Sequence, residues 1–267
     1  MPDIHTRVSG AWKRCAGLFV RAGSWKRITQ AWVRQGGVWK LVYQYDVRGQ
    51  YEWSTQGTYS FIVPSGVTQV HACVVNGANN TLSAIRRGGT TLISGASTVN
   101  SAIGGGTGGA VTTNAASGGA GAGGYDGDGG AGGSGDSGGN GSGGGGGGGG
   151  GSATASLRQH GAGVYLHGAG ESGVAGTTQY GIPPTAGSAL GEGVPRGAGR
   201  RSSGSPNLAM PGGSLRYTKT AIPVTPGETL TIIVGVKPST DATDEMQGGV
   251  RIIWGNGRSY PSNAKDV

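Results

Sequence analysis

Alternation of apolar and polar positions is concentrated in two separated stretches of the chain. In the first, Gly57-Thr-Tyr-Ser-Phe-Ile-Val63 runs to a Pro64-Ser-Gly66 turn, and Val67-Thr-Gln-Val-His-Ala-Cys-Val-Val75 carries the β-branched residues of a half-buried strand. Residues 81–86 and 90–93 flank a Gly88-Gly89 turn as a hairpin. In the second, residues 215–224, the Pro226-Gly227 turn, Glu228-Thr-Leu-Thr-Ile-Ile-Val234 and Gly249-Val-Arg-Ile-Ile-Trp254 have the same character. Nearly all strong strand signals lie outside residues 95–214. Neither set can bury its apolar faces alone, so residues 51–94 and 215–267 are predicted to pair as one β-sandwich that clamps both ends of an insertion, residues 95–214. The insertion then projects from one end of the sandwich, where loops carry binding function.

A shorter pattern precedes these strands. Arg7-Val-Ser-Gly10-Ala-Trp12-Lys13, Arg21-Ala-Gly23-Ser-Trp25-Lys26 and Arg34-Gln-Gly36-Gly37-Val-Trp39-Lys40 are one motif written three times. Each unit puts a β-prone stretch before a glycine turn and another after it, which predicts three successive hairpins over residues 1–50, the first being the weakest because residues 4–8 make a poor strand. Two readings of Trp12, Trp25 and Trp39 stand side by side. They form the mini-core of a three-hairpin domain, or they present one tryptophan in each third of a pseudo-threefold surface that docks to the end of a trimeric partner. Arg21 and Arg34, with Lys26, Arg27 and Lys40, then steer docking or keep the outer face solvated.

Composition changes the picture of the insertion. Glycine supplies 61 of the 267 residues, and charged residues only 13%, so part of the chain must be built without a conventional apolar core. Proline totals 11 and residues 143–151 are unbroken glycine, which excludes a collagen triple helix. Glycine-rich sequence is either disordered linker or, where short tracts recur as they do here, a set of polyglycine II helices that pack closely enough to hydrogen-bond to one another. Such a base would display the residues between the tracts: Tyr125, Asp126 and Asp128; Arg158, Gln159 and His160; Tyr165 and His167; Tyr180; Arg196, Arg200 and Arg201. Tyr125, Arg158, His160, Tyr165, His167, Tyr180 and Arg200 are the candidate recognition residues, because tyrosine gives rigid contact area within adaptable polar loops.

The net charge of +8 belongs almost wholly to residues 1–50, where nine Lys/Arg face Asp3 and Asp46. These cations interleave with the hairpin repeat and read first as its solvated outer face rather than as a nucleic-acid contact, so no nucleic-acid partner is expected. No stretch is long and apolar enough to span a membrane and the first residues lack a secretory signature, so the chain is expected to be soluble as made. Cys15 and Cys73 have no metal or redox spacing and read as buried thiols. Asp126-Gly-Asp128-Gly-Gly lacks the remaining ligands of a calcium loop, and His160 and His167 are not spaced as a helical metal pair. No catalytic constellation passes its spacing test, so the reading is a protein that is not an enzyme and carries no cofactor or metal. A surface-polysaccharide hydrolase is the weakest alternative.

Gly57-Thr-Tyr-Ser-Phe-Ile-Val-Pro64-Ser-Gly66-Val, the glycine tracts, Val224-Thr-Pro226-Gly227-Glu-Thr-Leu and the closing Gly249-Val-Arg-Ile-Ile-Trp254-Gly-Asn-Gly257-Arg258-Ser-Tyr-Pro261 resemble the glycine-rich domains of bacteriophage tail-fibre and tail-tip proteins, over about residues 57–260. The closing motif is the most specific part. The Trp/Gly repeats also resemble short repeats of phage tail proteins. The resemblance implies a tip adhesin of the virion tail. Its N-terminal piece caps a tail or trimeric fibre, and its polyglycine sandwich displays loops to a bacterial outer-membrane protein or surface polysaccharide. The alternative is a structural tail or baseplate component whose glycine-rich part packs inside the assembly.

Overall fold

The computed structural model describes residues 5–8, 11–14, 18–22, 24–28, 30–44, 47–111, 118–133, 137–142, 146–150, 159–168, 171–177, 182–187, 195–199, 209–236 and 246–261. The fold is mainly β and divides into two units, Met1–Val47 and Arg48–Val267.

In the first unit every copy of the repeat is an antiparallel hairpin: β1 (His5–Val8) with β2 (Ala11–Arg14), β3 (Leu18–Ala22) with β4 (Ser24–Ile28), and β5 (Gln30–Gln35) with β6 (Val38–Gln44). The first hairpin thus forms despite the weak strand character of its opening residues. Gly36 and Gly37, with φ of 59° and 82°, close the third hairpin in the left-handed region, the conformation whose twist suits a two-residue connection.

The second unit starts with β7 (Gly49–Trp53), just ahead of the predicted boundary. Next come β8 (Gly57–Ile62), β9 (Gln69–Val75), β10 (Ala84–Arg87), β11 (Thr90–Ser94) and β12 (Ile103–Gly104). After the insertion follow β13 (Leu215–Thr218), β14 (Ile222–Pro223), β15 (Thr229–Val234) and β16 (Gly249–Trp254). One sheet has the order β11-β10-β15-β8 and the other β12-β13-β9-β16-β7, with β14 beside β9, so strands from both sides of the insertion pair as predicted. The sheets pack as a sandwich. Leu230, Ile232 and Val234 of β15 alternate with more exposed neighbours and face Val70, Ala72 and Val74 of β9 and Val250 and Ile252 of β16. Each buried leucine, isoleucine or valine of this set contributes about 1.5–3 kcal/mol. Phe61 bridges the sheets between Trp53 and Trp254, at ring-centroid distances of 5.6 and 5.7 Å.

β16 does not alternate: all of its residues are buried. Its second face, with those of β9 and β13, lies under the insertion. Cys73, Val75, Leu215, Tyr217 and Ile253 form one apolar cluster with Ala122, Tyr125, Val164, Leu166 and Tyr260.

The insertion itself is a lattice of short extended segments. Segment 118–124 shows its rule. Gly118, Gly121 and Gly124 donate to Gly133, Gly130 and Gly127; Gly119 and Ala122 donate to Gln159 and Ala162; Ala120 and Gly123 donate to Met210 and Gly213. Partners change with a period of three, the repeat of a polyglycine II helix. Its carbonyls in turn accept from Gly106 and Gly109, from Gly147 and Gly150, and from Gly199. Segment 118–124 is therefore flanked by 104–111, 127–133, 146–150, 159–164, 195–199 and 209–213, six neighbours in all. Segment 146–150 is enclosed in the same way, by 118–124, 127–133, 137–142, 159–164, 171–177 and 182–187. A helix ringed on every side leaves little room for side chains, and 118–124 carries none larger than the buried methyls of Ala120 and Ala122. A Cβ on Gly121 would overlap the Gly147 carbonyl oxygen, and one on Gly149 would overlap that of Ala131. Residues 146–150 of the unbroken glycine run thus lie in one of these enclosed positions. Buried backbone amides are satisfied between helices, which offsets the entropy lost on ordering glycine.

The lattice grows out of the sandwich without a change of register. Gly104 stands opposite Tyr217 in the β12–β13 ladder. Farther along, the Leu215 amide bonds to Gly106 and the Gly212 amide to Gly109. The switch from sheet to lattice occurs at Gly105, whose φ of 124° excludes other residues and whose Cβ would overlap the Leu215 carbonyl oxygen. Segments 104–111 and 209–213 therefore prolong the strands beyond the end of the sandwich. The folding of the near-end loops back over the outer sheet face is an additional feature.

Candidate functional site

The directions of the lattice segments sort their connections between two ends. Segment 104–111 runs away from the sandwich, and 118–124 returns antiparallel to it, as the Gly109–Gly121 and Gly106–Gly124 bonds show. Carried through the network, this places the flanks Val111 and Gly118, Gly133 and Ser137, Gly150 and Gln159, Thr177 and Ile182, and Gly199 and Ala209 all at the far end. At about 3.1 Å per residue, that end stands roughly 20 Å beyond Gly105. The Gln159 side chain ties two of these connections by donating to the Ile182 carbonyl at 2.8 Å.

This arrangement divides the sequence-derived receptor residues. Arg158, Tyr180 and Arg200 lie outside the described residues, and the described residues flanking each of them stand at the far end. His160 is half-buried at that same end. Tyr165 and His167 are instead at the near end, against the sandwich. Two expectations need correction. Tyr125, read as a displayed tip residue, is 1% exposed. Its ring packs in the near-end cluster beside Tyr217 and Tyr260, because the outer sheet face offers apolar area that a loop tyrosine can cover. Arg196 is likewise buried, its backbone paired in both directions with Val164.

The near end is a clamp. His167 Nε2 lies 2.9 Å from Glu52 Oε2 on β7. Arg251, opposite Glu52 in the β16–β7 register, is fully buried. It donates from Nη1 to the Leu166 carbonyl at 3.2 Å and from Nη2 to Gln50 Oε1 at 2.6 Å, with its guanidinium 5.7 Å from the centre of the Tyr260 ring. Burial raises the phenol pKa values of Tyr125 and Tyr260 well above the ordinary range. It also pushes the Cys73 thiol up to about 12, so this thiol is protonated at neutral pH and is no nucleophile. Glu52 and Arg251 were not among the sequence-derived candidates. Their alternation on edge and central strands carries no sign of the loop that covers them.

In the first unit the hairpin registers reveal a regularity that spacing alone hides. Arg7 stands opposite Trp12, Arg21 opposite Trp25 and Arg34 opposite Trp39. Trp12 and Trp25 lie on β2 and β4, and their side chains are outside the description. Arg21 and Arg34 are exposed, and Trp39 is 63% exposed. Trp32, which the repeat motif omits, is 51% exposed and shares the Arg34 and Trp39 side of the third hairpin by strand parity. For Trp39, this exposure argues against a mini-core within the hairpin.

Among the described residues, no group of three or more His, Cys, Asp and Glu gathers as a metal site, and no helix is long and apolar enough to cross a membrane. Comparison with family models, with curated proteins and with solved structures finds no match to this chain.

Proposed function

We propose that the chain is a phage tail-fibre tip adhesin, a binding protein without catalysis. Residues 1–50 attach it to the tail or to a trimeric fibre, and the far end of its glycine lattice meets a bacterial outer-membrane protein or surface polysaccharide. The observation that carries this reading is the convergence of five chain connections at the far end of a lattice that is itself bound to the sandwich by an unbroken register. A rigid base suits recognition, since the ordering cost is met by the base rather than by the receptor contact. Attachment draws support from the threefold Arg-opposite-Trp register and from exposed tryptophan, the residue type most enriched at binding hot spots.

Labelled full-length protein added to susceptible cells tests the reading. Saturable binding is expected, and joint replacement of Arg158, His160, Tyr180 and Arg200 by alanine is expected to abolish it while the melting temperature holds. A purified chain that joins the tail but binds no susceptible cell would instead be a structural component of the particle.

A further inference from the structure

A cleft of about 400 Å³ opens at the near end, where β12 and β13 hand over to the lattice. That volume is at the small end of the range for small-molecule sites. Its floor is the backbone of residues 104–106, and its walls are Val99, Asp126, Asp128, Ser142, Tyr217 and Lys219. Glycine is required in the floor, since a Cβ on Gly104 would run into the Tyr217 ring.

The polar groups are already oriented. Burial and the neighbouring Asp126 charge raise the Tyr217 phenol pKa, and both side chains line the cleft. Asp128 Oδ1 accepts from the Thr107 amide at 2.6 Å, and Ser142 Oγ accepts from the Asp128 amide at 3.1 Å. A carboxylate offers about four lone-pair positions, so each aspartate retains accepting capacity, while the exposed Lys219 ammonium supplies donors. Charge narrows the ligand class. An anion would meet two carboxylates and a cation would meet the ammonium, while the apolar surface is limited to Val99 and the rings of Tyr125 and Tyr217. A small uncharged ring carrying both donors and acceptors, able to lie flat on a side-chain-free floor, satisfies all the walls together.

We propose that this cleft is a second binding site, separate from the far end, for one neutral pyranose unit of a glycan. That the glycan belongs to a cell surface rests on the adhesin reading; the sugar site itself rests on the cleft.

Saturation-transfer NMR on the full-length chain, with the methyl α-glycosides of glucose, galactose and mannose and with N-acetylglucosamine as probes, tests it. Transfer to at least one probe is expected. Asp126→Asn and Asp128→Asn should each weaken it about tenfold, the loss of one hydrogen bond to a charged group, while Glu228→Gln, outside the cleft, should leave it unchanged. Melting temperatures establish that each variant folds. No transfer from any probe, or transfer that survives the double aspartate variant, overturns the site. Cell adhesion measured in parallel separates the two readings. Adhesion without sugar transfer removes the cleft and spares the adhesin; sugar transfer without adhesion does the reverse.

Discussion

The Tyr125 hydroxyl donates to the Leu166 carbonyl oxygen at 2.7 Å. This bond joins two connections of the glycine lattice over the outer face of the six-stranded sheet, and the same carbonyl also accepts from Arg251 Nη1 on β16. Tyr125 therefore secures the lattice to the sandwich from the inside.

Tyr125→Phe keeps the ring and removes the donor. Urea unfolding is expected to show a loss of about 1–2 kcal/mol, with adhesion to susceptible cells unchanged. A variant of normal stability that no longer adheres would return Tyr125 to the receptor contacts.

The enclosed helices predict a sharp difference between glycines. Gly149→Ala would set a methyl group against the Ala131 carbonyl and should cost about 1–3 kcal/mol, with loss of amide protection in residues 118–124. Gly89→Ala, whose new methyl meets nothing within 4 Å, should be neutral or slightly stabilising. Hydrogen exchange with thermal melting reads both. Equal tolerance at the two positions would contradict the lattice.

What the sequence makes legible follows from how much information side chains carry. β15 was readable because Leu230, Ile232 and Val234 alternate with polar or less buried neighbours. Gly249 to Trp254 was readable as a strand, yet nothing in its pattern shows that Arg251 is buried beneath a loop from the insertion. The glycine tracts are compatible with a lattice as well as with a disordered linker and carry none of the wiring, since one glycine is indistinguishable from another. That Gly118 finds Gly133 while Gly119 finds Gln159 is decided by helix geometry, which residue type does not encode. Tyr125 was misplaced for a related reason. Flanked by glycine and aspartate it has the local signature of a loop tip, and its burial depends on Cys73, a distant strand residue 3.3 Å from its hydroxyl.

Exposure of the third hairpin leads to a prediction that separates attachment from folding. Trp32→Ala and Trp39→Ala remove rings that are half or more exposed, so far-UV circular dichroism and the melting temperature should stay within error. Association with the tail or trimeric fibre protein, followed by co-sedimentation, should fall by tenfold or more, as for hot-spot tryptophans. Unfolding of the hairpins on either substitution would favour the mini-core reading.

Stability should also decline in alkali, with a sign fixed by burial. In the unfolded chain the Cys73 thiol titrates near its ordinary value of 9.0, and in the fold near 12. Below about pH 9 both states hold the proton and the native state has its full stability. Between about 9 and 12 the unfolded chain releases a proton that the native chain retains, so stability falls as pH rises, by up to about 1.4 kcal/mol per pH unit for one such group. Tyr125 and Tyr260, raised in the same direction by burial, add to the fall above about pH 10. Melting temperatures taken from pH 8 to pH 11, roughly the window these shifts define, should be level at first and then drop. Cys73→Ala, which removes the titrating thiol, should melt somewhat lower at neutral pH and show a shallower alkaline slope. An unchanged slope in this variant would mean that the thiol is not held protonated under the glycine lattice.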